Sequence, residues 1–302
     1  MTTLHGGNGV AVAAALGIEP ADVLDLSASL NPVAPDPAPV IARHLDAVGR
    51  YPDPSRATAA LAEAMDVEPD RLLLTNGGAE AIALVAAELG AGWADECDFA
   101  LYRRHLPTLD PHGQRFRSNP HNPTGRLAPS DETADVWDEA FYPLATGTWT
   151  RGDDAVVVGS LTKLLACPGL RIGYVLADPA LVARLVHRQP QWAVNGLACA
   201  ALPDLLDGID IAASARAVDR LRTDLVAVLD KHGLDPQPSD ANYVVCHDIG
   251  AELLPHGIVV RDCTAFGMPG RMRVAVPDGD GLDRLTRALE YIALRSEALC
   301  TR

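Results

Sequence analysis

The sequence predicts an α/β protein: a sheet with parallel strands flanked by helices, joined to a smaller α+β unit. Three observations predict it. Segments with helical period alternate with short apolar runs of strand length, the pattern of layered α/β folds. Two of those runs, AVVV at 155–158 and IGYVL at 172–176, are continuous enough to be strands buried on both faces, as parallel strands are. The last third places a long amphipathic helix before a strand and a closing helix, which suits a smaller unit with antiparallel character.

The elements follow in chain order. The first thirty residues are rich in turn formers and can pack against either unit. Residues 79–89 place Ile82, Val85, Ala86 and Leu89 on one helical face, and Gly90 supplies a stop. Residues 212–232 repeat the pattern through Val218, Leu221, Leu225 and Leu229, ahead of Gly233. Asn242 to Cys246 reads as a strand, and Leu282, Leu285, Leu289 and Ile292 mark the final helix.

Composition bounds the function. With 302 residues and 48% hydrophobic content the chain can build a sizeable core, and aromatics at 5% leave Leu, Val and Ala to fill it. The net charge of −15 argues against nucleic acid and against an anionic membrane surface as partners. No apolar run approaches the ~18 residues of a membrane span, and the start lacks a charged-then-apolar signal, so a cytoplasmic location is expected. The six cysteines are scattered with no C-x-x-C pair, which points away from zinc and from a disulfide scaffold.

Four segments carry chemistry. Thr75-Asn76-Gly77-Gly78-Ala79-Glu80 opens the helix at 79–89; its glycines let a ligand approach, and the helix start offers free N–H groups to a phosphate. A plain strand-to-helix turn explains this segment equally well. Asn119-Pro120-His121-Asn122-Pro123-Thr124-Gly125 is a rigid turn presenting amides, or simply a surface loop. Val136-Trp137-Asp138-Glu139-Ala140-Phe141 places a carboxylate at the end of a short apolar run, where burial demands a partner. The sharpest runs from Ser160 to Tyr174 as SLTKLLACPGLRIGY. In it Lys163 sits in an apolar loop and Arg171 opens the next strand. A desolvated lysine becomes a nucleophilic amine, while Ser160 and Arg171 can both donate to a phosphate; taken alone, Lys163 reads more readily as a lysine reaching to water at a domain surface.

In this order the four segments resemble the fold-type I enzymes that use pyridoxal 5′-phosphate. Within them the chain is most similar to the branch of L-threonine-O-3-phosphate decarboxylase and histidinol-phosphate aminotransferase. The decarboxylase side is favoured by HGGN at 5–8, LDLSASLNP at 24–32, YPD at 51–53, QWAVN at 191–195, VRDC at 260–263 and RMRVAV at 271–276. The resemblance implies a large cofactor-binding domain over residues 35–205, with a mixed, mainly parallel sheet. It implies a small domain from residues 1–34 and 206–302 that includes an N-terminal arm.

It also implies roles. Lys163 would condense with the cofactor aldehyde and later act as acid and base. Asp138 would pair with the ring nitrogen, Asn122 with the ring oxygen, and Phe99 would stack on the ring. Gly78, Ala79, Ser160 and Arg171 would hold the cofactor phosphate. Arg273 would clamp the substrate carboxylate, with Asn31 and Asn195 close by. His5, Tyr51 and Arg261 would serve the substrate phosphate or the neighbouring subunit's cofactor phosphate. The family often has tyrosine where Phe141 stands, and phenylalanine there also occurs in the decarboxylase branch.

The resemblance thus implies a homodimeric decarboxylase of a small phosphorylated amino acid, threonine phosphate in cobalamin biosynthesis. Its alternatives are a histidinol-phosphate-type aminotransferase and a non-catalytic cofactor-binding relative. The last is motivated by length. Only sixteen residues separate Tyr102 from Asn119, and twelve separate Gly125 from Asp138. The polar QRFRS at 114–118 stands where an apolar central strand is expected, so a shortened central sheet is anticipated.

Overall fold

A computed structural model describes residues 6–152 and 154–300, with side chains as far as Arg295. In chain order the strands are β1 (Leu24–Asp25), β2 (Leu72–Thr75), β3 (Ala91–Trp93), β4 (Thr108–Leu109), β5 (Gln114–Ser118), β6 (Val136–Asp138), β7 (Val156–Ser160), β8 (Gly173–Leu176), β9 (Tyr243–His247), β10 (Ile258–Val259), β11 (Arg261–Asp262) and β12 (Arg271–Ala275). Seven of them form one sheet in the order β2-β8-β7-β6-β5-β3-β4. Pairing is parallel from β7 through β6, β5 and β3 to β4. β8 lies antiparallel to both neighbours, so the IGYVL run is a buried strand but not a parallel one.

Several strands of the sheet are short, but its order has no gap: β3, β4 and β6 have three residues or fewer. QRFRS is itself the central strand β5, seated between β3 and β6. Its alternation explains how a polar run can be central: Phe116 is 1% exposed and faces the apolar layer, while Arg115 and Arg117 turn to the other face. The connection from β5 to β6 contains no helix.

One face of the sheet is covered by helices Gly78–Leu89 and Pro179–Arg188, which bury Val85 and Leu185 against Val136, Val158 and Val175. The other is covered over β2, β8 and β7 by helices Ser55–Met65 and Gly196–Asp207, through Leu61, Ala201 and Leu202. Helix Ile211–Lys231 runs between two cores, with Val218 in this second layer and Leu225 and Leu229 in a third. That third core holds the antiparallel set β11-β12-β9 and helix Gly279–Cys300. The N-terminal segment joins both parts: β1 pairs in parallel with β10, and Asn31 N donates to the Lys163 carbonyl. Among the described residues no helix is long and apolar enough to cross a membrane.

Candidate active site

The carboxyl ends of β5, β6 and β7 open onto a cavity of about 640 Å³, where a layered α/β sheet commonly places its ligands. Its first wall is the turn after β2. Gly77 holds φ +77°, and a Cβ there would lie 2.6 Å from an Arg171 guanidinium nitrogen. Glycine is required there by conformation, whereas the Arg171 contact is with the movable end of a side chain. Gly78 then starts its helix close to Ser160, and Arg171 is itself held at φ 54°, a left-handed conformation costly for a residue that carries a Cβ. Gly78, Ala79, Ser160 and Arg171 thereby line one end of the cavity as a cationic, N–H-rich cradle.

Lys163 stands on the short helix Leu161–Leu164 that follows β7. Its Nζ donates to the Ala28 carbonyl at 2.9 Å and lies 5.9 Å from the Phe141 ring centroid. Burial, with Arg273 and Arg171 nearby, pushes its amine down to about 8, and Asp25 and Asp138 offset only part of that. An amine so placed is more often neutral and nucleophilic than an exposed lysine. Asn31 fixes this helix from outside the cavity, its Nδ2 donating to the Leu164 carbonyl.

Asp138 ends β6. Its Oδ1 accepts from Ala140 N at 3.0 Å and its Oδ2 from the Tyr102 hydroxyl at 2.8 Å. Burial raises its carboxyl to about 6, more than those two bonds bring it down. Asn122 is anchored by its own N–H on Ser118 Oγ at 2.8 Å, and its Oδ1 accepts from Arg273 at 2.5 Å. Phe99 meets Tyr102 edge-on, with centroids 5.8 Å apart.

Two arginines face the cavity from the antiparallel set. Arg261 on β11 and Arg273 on β12 are register partners, so their side chains emerge on the same face. Arg273 is buried against the Tyr243 ring, its Cζ 4.5 Å from the centroid, and its Nε has no hydrogen-bond partner among the described residues. Burial lowers both guanidinium groups from their usual value, and Arg273 adds to the effect on Arg261.

Of the expected site residues, Gly78, Ala79, Phe99, Asn122, Asp138, Ser160, Lys163, Arg171, Arg261 and Arg273 line this one cavity. Asn31, Tyr51 and Asn195 do not. Asn195 caps helix Gly196–Asp207 and donates to the Leu170 carbonyl. Tyr51 is 78% exposed and packs on Trp192, centroids 4.5 Å apart. His5 lies outside the described residues. Tyr102 was not anticipated as a site residue, although its place three residues after Phe99 on one helical turn was a usable signal. Arg104, His105 and Ser118 also line the cavity.

A cavity with a cationic cradle, a primary amine and a buried carboxylate suits a phosphorylated aromatic aldehyde that carries a ring nitrogen. The buried Arg273 Nε still lacks an acceptor, so a further anion fits there.

Comparison with known proteins agrees. The description "Aminotransferase class I and II" matches residues 96–292. A threonine-phosphate decarboxylase of Salmonella typhimurium is 31% identical, covering 95% of this chain and 96% of that protein. That alignment runs over 357 positions against 302 residues here, so the difference in length is internal. A histidinol-phosphate aminotransferase of Halorubrum lacusprofundi is 29% identical, covering 88% of this chain and 87% of that protein. The same fold is found in a histidinol-phosphate aminotransferase from Sinorhizobium meliloti solved with pyridoxal 5′-phosphate. Its TM-score is 0.81 at 18% identity, covering 97% of this chain and 96% of that one. The L-threonine-O-3-phosphate decarboxylase from Porphyromonas gingivalis gives a TM-score of 0.77 at 21% identity, covering 90% and 99%. The extent of the family match and the near-complete coverage of the relatives leave one conclusion: the chain belongs to the aminotransferase class I and II family of pyridoxal 5′-phosphate-dependent enzymes.

Proposed function

We propose that the protein decarboxylates a small phosphorylated amino acid, L-threonine-O-3-phosphate, to aminopropanol phosphate, a reaction of cobalamin biosynthesis. The observation that carries this reading is the paired register of Arg261 and Arg273 across from a cradle that has its own cation in Arg171. One guanidinium serves the cofactor phosphate, which leaves one each for a substrate carboxylate and a substrate phosphate. The identity to the Salmonella decarboxylase over nearly the whole chain supports the same reading.

When bound, pyridoxal 5′-phosphate supplies an electron sink for the pair left by a broken bond at the substrate's α-carbon. The chain's residues do the rest. Lys163 takes up or delivers a proton at Nζ, and its lowered basicity places that exchange near neutrality. Asp138 would pair with the ring nitrogen and hold a proton there. Gly78, Ala79, Ser160 and Arg171 would hold the phosphate end, Phe99 would stack on the ring, and Asn122 would bond the ring oxygen. Arg273 would clamp the substrate carboxylate, and the orientation it imposes would select which bond at the α-carbon is broken.

The large domain of residues 35–205 supplies the cradle and lysine, and the small domain supplies the two arginines. The exposed patch of Tyr51, Trp192, Val48 and Leu45 is read as part of a homodimer contact.

A histidinol-phosphate-type aminotransferase is the second reading, favoured by relatives such as that of Halorubrum. The two separate in one assay with purified protein, cofactor and either substrate. Release of CO2 from phosphothreonine without an amino acceptor supports decarboxylation. Conversion of histidinol phosphate that requires 2-oxoglutarate, with no CO2 from phosphothreonine, overturns it.

A further inference from the structure

We propose that Tyr102 is a positioning residue for the ring-nitrogen end of the cofactor. Its hydroxyl commits one oxygen of Asp138 to the protein and holds the carboxylate charged and aimed, while its ring edge sets the tilt of Phe99. The proposal deepens the assignment of Asp138 to the ring nitrogen and rests on it.

The geometry carries the argument. Tyr102 is 0% exposed and sits on the short helix Leu101–His105, directly behind the cavity wall. Its hydroxyl donates to Asp138 Oδ2 at 2.8 Å, and Ala140 N takes Oδ1. A carboxylate offers about four lone-pair sites, so these two bonds fix its plane and leave sites for a ligand. The Tyr102 ring is wedged between Phe99, edge-on at 5.8 Å, and Phe116 at 5.9 Å. One side chain therefore touches both the residue proposed to stack on the ring and the residue proposed to anchor its nitrogen.

The surroundings explain why a neutral donor is needed there. Asp138 is faced by Asp98 from the turn before the helix and by Lys163 from beyond β7. It also acts on Tyr174 of β8 and Tyr243 of β9. Asp98 is a second buried carboxylate, satisfied by Ser118 N and its hydroxyl and by Phe99 N. Burial and these two acids hold the Tyr102 hydroxyl well above its usual range, so it stays a donor across the working range of pH. With phenylalanine at 102 the shape remains and the bond to Asp138 is lost.

The test uses apoprotein and two aldehyde-free probes, pyridoxine 5′-phosphate and its 1-deaza analogue, in which carbon replaces the ring nitrogen. Neither can attach to Lys163, and binding is read by quenching of tryptophan fluorescence. Wild-type protein prefers the nitrogen ring. Tyr102→Phe weakens pyridoxine 5′-phosphate about 10-fold, the worth of a hydrogen bond to a charged group, and leaves the deaza analogue unchanged. In an Asp138→Asn background the same substitution has no effect. Equal weakening of both probes, or of neither, overturns the proposal, as does a loss that persists without Asp138. Absence of any nitrogen preference in the wild type instead overturns the reading of Asp138, a distinguishable failure. Should Tyr102→Phe not fold, Tyr102→His restores a ring donor. Retained nitrogen preference in that variant supports the proposal, and its loss overturns it.

Discussion

Asp138 and Lys163 each carry their charge at a cost to the fold. The Asp138 carboxyl titrates about 6 in the folded chain against 3.8 as its ordinary value. The folded state therefore binds the extra proton between those values, stability falls as pH rises through that window, and the penalty is complete above it. Lys163 titrates about 8 folded against 10.5 ordinarily. Here the unfolded chain binds the extra proton, so the penalty is complete below pH 8 and is relieved as pH rises toward 10.5. Each displacement corresponds to a stability penalty on the order of 3 kcal/mol at full effect. Asp138→Asn should thus stabilise the apoprotein at pH 7 and lose that advantage below pH 4. Lys163→Met should stabilise it at pH 7 and lose the advantage above pH 10. Urea titrations of apoprotein across pH check both, and a stabilisation independent of pH would contradict the assignment. The same two substitutions should abolish turnover, since these are the groups that the proposed chemistry needs.

At the scale of elements, the cradle is a contact between backbones as much as a set of donors. A Cβ on Gly173 would lie 2.6 Å from Gly77 C and Gly78 N and 2.7 Å from Gly159 O. Gly173→Ala therefore cannot be absorbed by rotating a side chain. It must push β8 away from the helix start and from β7 together. The expected loss is about 3 kcal/mol of stability, the upper end of overpacking, accompanied by weakened cofactor binding. Denaturant midpoints and cofactor titration measure the two effects, and full stability in the variant would refute the close packing.

These elements also show what a single sequence could reveal. The glycines, Lys163 and Arg171 were legible through the order of the four segments, since a glycine pair or a lysine in an apolar loop taken alone has a plain structural reading. Arg261 and Arg273 were legible as residues, but the register that sets them side by side was not, because pairing depends on β11 and β12 meeting across the turn at 264–270. β5 was misjudged because QRFRS has one buried aromatic among polar residues, and mean polarity conceals an alternation of period two. Tyr102 was invisible as a partner of Asp138, since their 36-residue separation is closed only by the sheet. Tyr51 and Asn195 came with motif resemblance, yet one faces solvent and the other caps a helix.

For the whole molecule, the shortened crossovers raise the question of what covers the sheet. On one face the register runs Trp93 to Arg115, then Arg117 to Trp137, Val157 and Leu176. Helices cover the apolar end of that row. Over β3, β5 and β6 the cover is made of guanidinium groups instead. Arg115 lies 5.2 Å from the Trp93 ring centroid and Arg151 lies 4.8 Å from that of Trp137. Such stacking pairs a weakly hydrated cation with an indole face and excludes water without a helix. Glu132 ties the group together: its Oε1 accepts from Arg115 at 2.8 Å and from Arg117 at 3.0 Å, and its carbonyl accepts from Arg151. Burial pushes the Glu132 carboxyl up, but Arg117 and Arg115 outweigh it and hold it below the usual range. Removing that charge leaves Arg115 and Arg117 close together over the sheet with only the longer pairs to Asp95 at 3.5 Å and Asp98 at 3.9 Å. Glu132→Gln should therefore destabilise the protein by about 1 kcal/mol at low ionic strength. Because the excess repulsion is partly open to solvent, 1 M salt should close most of the gap between variant and wild type. Melting temperatures at low and high salt decide it. A deficit unchanged by salt would mean that Glu132 acts through packing alone, and the electrostatic cover would have to be abandoned as the substitute for the missing helices.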